Sequence, residues 1–171
     1  MQWQFDDGGR SAAGYKGSTG DCAVRAAAIA TGLPYQHVYD AINALGSRER
    51  TGKRQRGKSS ARTGVYSATM RKYMASLGWQ WTPTMHIGSG CTVRLCTDEL
   101  PTGRIVARVS KHYVAIVDGV IHDTHNPSAR GTTIYPPGYL GNIPKGARWL
   151  ENGNGWAYSP ERCVYGYWSR A

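Results

Sequence analysis

Phenylalanine occurs once in 171 residues, no apolar run approaches the length of a membrane span, the four cysteines form no C-x-x-C pair, and 11 acidic residues face 21 basic ones. Each scarcity excludes a class. Without a long apolar run the chain offers no transmembrane helix, and "MQWQFDDGGR" lacks the basic start and apolar core of a signal peptide, so a cytosolic protein without a membrane role is expected. Without paired cysteine spacing, and with enough chain to build a core, Cys22, Cys91, Cys96 and Cys163 are expected to be free thiols. Cys91 and Cys96 flank "TVRL" as a conceivable zinc half-site, but no matching second pair exists, and neither a metal nor any other cofactor is expected.

The composition is otherwise that of a folded protein. Hydrophobic residues make up 40% and charged residues 19%, a balance that buries a core rather than leaving a solvated coil. A chain of this length fits one domain, residues 1–171. Tyrosine (11) and tryptophan (6) carry most of the aromatic content, and rings with a polar handle suit half-wet grooves.

The excess of positive charge, formally +10, is local. In "RERTGKRQRGKSSAR", Arg48 to Arg62, seven basic residues face the single acid Glu49. Rich in Gly and Ser, with no apolar anchor, residues 47–63 are expected to form an exposed, mobile loop. Lys53, Arg54, Arg56 and Lys58 are its candidate contacts to a polyanion, either a nucleic acid or an acidic protein. No aromatic interrupts the run, so base stacking is not indicated.

Helical spacing dominates the first half. "CAVRAAAIATG" is a small-residue helix with Gly32 as its stop, Pro34 to Leu45 carries an apolar face at Val38, Ile42 and Leu45, and Val65 to Leu77 carries another. The second half reads as strands: "GWQWTPTM", "GRIVARV", "HYVAIV", "VIHDT" and the closing "RCVYGYW", with a short strand at Gln2 to Phe5 preceding them all. Residues 131–160, rich in Gly and Pro and without periodicity, are expected to be a surface loop. Helices first and strands later predict an α+β fold with the N-terminal helices packed on an antiparallel β-sheet.

Two places carry chemistry. Cys22 opens its helix, where unpaired backbone N–H groups and the helix dipole favour an anionic sulfur. In the hairpin, a two-residue turn at Asp118-Gly119 opposes Val117 to Val120, Ile116 to Ile121 and Ala115 to His122. Alternation then places His112 and Asp123 on one face and His122 on the other. A carboxylate beside an imidazole fixes its tautomer and supports its charged form, as a base paired with a thiol requires. The same alternation separates His122 from His125 and argues against "HDTH" as a metal motif.

An early Cys at a helix start, a later His entering a strand and an Asp shortly after resemble the papain-like cysteine peptidases. The likeness is nearest the compact bacterial peptidase C39-like type and similar small proteins of bacteria and their phages. It is carried by "STGDCAVRAAAIATG" and "SKHYVAIVDGVIHDTHNPS". The resemblance implies a papain-like α+β fold and a peptide or isopeptide hydrolase of bacterial or phage-infected cytoplasm, acting on a protein or peptide. It further implies Cys22 as nucleophile, His112 as base and Asp123 as its orienter, with Asn126 as alternative third member. The chain departs from the pattern twice: Lys16 stands where such peptidases carry an oxyanion-stabilising Gln, and Ala23 follows the Cys. Lys16, Ser18 and Thr19 are the candidate oxyanion donors beside the Cys22 N–H. A catalytically inactive papain-like binding module is the alternative.

Overall fold

The computed structural model describes residues 1–53, 55, 57–128, 133–143, 147–150, 153–158 and 162–170. In chain order its elements are β1 (Gln2–Phe5), α1 (Cys22–Thr31), α2 (Tyr35–Ser47), α3 (Ser67–Ser76), β2 (Gln80–Pro83), a 3₁₀ turn (Thr97–Glu99), β3 (Arg104–Val109), β4 (His112–Val117), β5 (Val120–Asp123), β6 (Thr133–Tyr135), β7 (Arg148–Trp149), β8 (Trp156–Tyr158) and β9 (Gly166–Ser169). The fold is α+β, with the helices packed on a six-stranded sheet of order β1-β5-β4-β3-β9-β2. That sheet is mixed rather than wholly antiparallel, because β1 runs parallel to β5. Among the described residues no helix is long and apolar enough to cross a membrane.

Helix α1 is the pivot. Ala23 to Ala30 are all buried, as expected of a small-residue helix that packs on β4 and β3 on one side and on α2 on the other. Its C-terminus closes at Gly32, whose φ of 73° lets its N–H reach the Ala28 carbonyl at 2.8 Å. Arg104 of β3 then donates to the Ala30 and Ile29 carbonyls at 2.9 and 2.6 Å, supplying acceptors left over at the helix end with a cationic partner. The sheet thus grips one end of α1 and fixes where the other end, Cys22, stands.

The hairpin keeps the expected register: Val117 pairs with Val120, Ile116 with Ile121 and Ala115 with His122. Asp118 and Gly119 adopt φ of 48° and 80°, the double left-handed turn whose twist matches the strands it joins. Alternation sorts the strand residues into two cores. Val106, Tyr113, Ala115 and Trp168 pack with the helices, and Ile105, Val114, Ile116 and Ile121 pack with Leu95, Leu100 and Val164 beneath the sheet.

Three expectations are corrected. Cys91 and Cys163 form a disulfide across a Cα separation of 5.6 Å, so not all four thiols are free, and Cys91 is unavailable for a zinc half-site with Cys96. Spacing in sequence did not reveal the pair because the two residues meet only where the segment around Val93 hydrogen-bonds to Val164. Residues 131–160 contain a three-stranded sheet of order β6-β8-β7, whose strands of two or three residues are too short for periodicity to register. Residues 47–63 are not an unanchored loop: Ser59 and Ala61 are buried, and Glu49 accepts from the Ser59 N–H at 2.7 Å, from Gln55 at 2.8 Å and from the Thr69 hydroxyl. Burial pushes the Glu49 carboxyl up, but these hydrogen bonds outweigh it and hold it below its usual range. Gly46 completes the anchorage, since a Cβ there would lie 2.2 Å from the Ser59 carbonyl oxygen.

Candidate functional site

Cys22, His112 and Asp123 come together where the first turn of α1 meets the ends of β4 and β5. His112 Nε2 lies 2.5 Å from Asp123 Oδ2, and the Cys22 side chain stands near enough to the same imidazole to favour its charged form. With Nε2 committed to Asp123, Nδ1 is the ring nitrogen left to exchange a proton with Cys22. Burial alone pulls the imidazolium toward neutrality, but the hydrogen bonds and negative charge of Asp123 and Cys22 prevail and push its pKa up to about 9. Burial raises the Asp123 carboxyl, whereas the His112 contact, the Thr124 N–H at 2.7 Å and the charge of Arg25 bring it below its ordinary value. The site therefore favours a charged imidazolium held between a carboxylate and a sulfur.

Sequence reading missed what lies behind this trio. Asp21, at the N-cap of α1, makes no side-chain capping bond. Its buried carboxylate instead takes Arg10 Nε at 2.9 Å, Arg25 Nε at 3.1 Å and the Tyr35 hydroxyl at 2.6 Å. Tyr35 is raised by its burial and by the Asp21 bond. Arg25 reaches onward to Asp123 Oδ1 at 3.8 Å and to the Thr124 hydroxyl, so one buried guanidinium ties the residue before Cys22 to the residue behind His112. The available signal was the i, i+4 spacing of Asp21 and Arg25 on one helix face. In the oxyanion region, Thr19 donates its hydroxyl to the Arg62 carbonyl and is thereby committed, a correction to its candidacy. Ser18 and Thr19 line a cleft of about 400 Å³ that also touches Arg25, Thr124 and His125, whereas Lys16 is exposed outside that lining. The backbone N–H of Cys22 belongs to the first helical turn, whose amides have no intrahelical acceptor.

Asn126 does not reach His112. Its Oδ1 accepts from the Ser128 N–H at 3.0 Å and the Ser128 hydroxyl at 2.7 Å in a turn around Pro127, and the described residues place Asp123, not Asn126, against His112. His122 points to the opposite face and meets Asp6 at 3.1 Å, as alternation requires. His125, which the same hairpin register sets opposite His112, packs its ring 4.9 Å from that of His112 and brings Nδ1 within 3.8 Å of Asp123 Oδ1. His112, Asp123 and His125 each offer a ligand atom within 4.8 Å of the others and could hold a metal ion. Of the basic candidates, Lys53 is exposed, Lys58 donates to the Ser47 carbonyl at 2.7 Å, and Arg54 and Arg56 lie outside the described residues.

No family model matches the chain, and no match to it was found among curated proteins or among solved structures.

Proposed function

We propose that this chain is a cysteine-dependent acyl-transfer enzyme of papain-like type, a peptidase or isopeptidase acting on a protein or peptide. One observation carries the reading: a single imidazole that bonds to a buried carboxylate at 2.5 Å and has beside it the thiol that opens a helix. His112 Nδ1 takes the Cys22 proton, and the sulfur attacks the substrate carbonyl. The oxyanion forms against the Cys22 N–H at the helix start. His112 then returns the proton to the leaving amine, giving a thioester that water cleaves with His112 as base. Asp123 orients the ring throughout and stabilises its charge.

Three variants test this. Cys22→Ala abolishes turnover and leaves thermal unfolding nearly unchanged, and His112→Ala abolishes turnover at a cost in stability, because it removes a partner from the buried Asp123 carboxylate. Asp123→Asn lowers the rate by on the order of 10²-fold, the size of a lost general-base contribution, whereas Asn126→Ala does not. Labelling with a thiol-reactive probe supplies the readout before a substrate is known: Cys22 reacts fastest and loses that advantage with His112→Ala. If Cys22→Ala mainly lowers stability and the labelling rates are equal and slow, the thiol is packing and the reading is wrong. The engaged Thr19 hydroxyl and the absence of a Gln at position 16 favour a second reading, a papain-like binding module without turnover. A reactive Cys22 that cleaves no peptide in a broad library is its signature.

A further inference from the structure

We propose that His112, Asp123 and His125 form a binding site for a divalent transition ion of the Zn²⁺ class, and that occupancy switches off the Cys22 chemistry. The binding stands on geometry alone; only its inhibitory consequence rests on the acyl-transfer reading.

Two imidazoles and one carboxylate are a ligand set suited to Zn²⁺, which leaves a fourth tetrahedral position for water. Ligands at the usual Zn–N and Zn–O distances lie about 3.4 Å from one another. One ligand atom from each residue lies within 4.8 Å of the others, with His112 Nε2 2.5 Å from Asp123 Oδ2 and His125 Nδ1 3.8 Å from Asp123 Oδ1. Small side-chain rotations are enough to complete the site. Asp123 is held in place by the Thr124 N–H, and His125, with more than half of its side chain exposed, opens the site to solvent. Cys22 is not a member of this set.

The consequence follows from proton bookkeeping on one ring. In the catalytic arrangement Nε2–H donates to Asp123 and Nδ1 exchanges the proton with sulfur. A metal bond at Nε2 needs that lone pair, so the Nε2 proton leaves to solvent and the remaining ring proton sits on Nδ1. So occupied, the ring cannot pass its Nδ1 proton to a leaving group without becoming an imidazolate, and it has no lone pair to take a proton from the water that cleaves the thioester.

Calorimetry with ZnCl₂ on the full chain in chelator-treated buffer tests the site. One site per chain is expected. His125→Ala and His125→Asn weaken it at least tenfold, and Cys22→Ala and His122→Ala leave it within threefold. Undiminished binding after both His125 substitutions overturns the proposal, as does binding that disappears with Cys22→Ala. Zinc is further expected to stop the hydrolysis of the thioester formed when a p-nitrophenyl ester acylates Cys22, each variant being compared with its own metal-free rate, and the zinc sensitivity to weaken at least tenfold with His125→Ala. If Cys22 labels no faster than Cys96 without zinc, the acyl-transfer reading fails, and calorimetry on Cys22→Ala still decides the metal site.

Discussion

His112 and Asp123 lie 11 residues apart in sequence and 2.5 Å apart in space, and the two-residue turn at Asp118-Gly119 is what brings them together. Both turn residues have positive φ, a conformation that costs a residue with a Cβ roughly 1–2 kcal/mol. Asp118 tolerates it as a short polar side chain does, and Gly119 at 80° avoids the cost. Gly119→Ala is therefore expected to lower stability by about 1–2 kcal/mol, seen as a fall of a few degrees in Tm. An unchanged melting curve would mean that the turn is not of this type.

The imidazole between Cys22 and Asp123 gives a pH prediction. Its pKa of about 9 lies above the ordinary 6.5, so the ring stays protonated through neutrality and loses its proton only in the alkaline range. NMR titration of the His112 ring, in the presence of a chelator, should show that midpoint. Asp123→Asn removes a carboxylate that favours the charged ring, so the midpoint must move down. If the His112 midpoint in the unmodified protein lies near 6.5, the described contacts do not persist in solution.

Arg25 is the buried cation between two acids, Asp21 and Asp123. Breaking a buried pair by removing one partner leaves charge without compensation, at a cost of about 3–5 kcal/mol. Arg25→Gln is expected near the lower end, because Asp21 keeps Arg10 and Tyr35. Urea unfolding measures it. A loss below about 0.5 kcal/mol, typical of an exposed pair, would show that Arg25 does not bridge the two acids.

What was legible in the sequence was whatever depends on near neighbours. The register from Ala115 to His122 follows from turn length and alternation, and with it the shared face of His112 and Asp123. The extent of α1 follows from its small residues and Gly32. Long-range partnerships were not legible. Asp21 looks like a helix cap until Arg10 and Tyr35 are placed beside it, and Glu49 looks like a stray acid in a basic run until Ser59 and Thr69 fold back onto it. In each case a polar side chain satisfies a distant group, and no local pattern encodes which one.

The disulfide makes the last prediction. Cys91 and Cys163 are 72 residues apart, and the chain they enclose includes β3, β4 and β5, hence both His112 and Asp123. Closing so long a loop restricts the unfolded chain, a contribution of about 2–4 kcal/mol. Under denaturing but non-reducing conditions two thiols, those of Cys22 and Cys96, should therefore label, and reduction should expose the other two. Cys91→Ser and Cys163→Ser should each lower stability by the full amount, and the double variant by no more than either alone, because one substitution already removes the bond. Protein made in a reducing cytosol should match the single variants, and protein made in an oxidising compartment should be the more stable form. Additive losses from the two substitutions, or four labelled thiols without reductant, would show that the bond does not form and that the cysteines act only by packing.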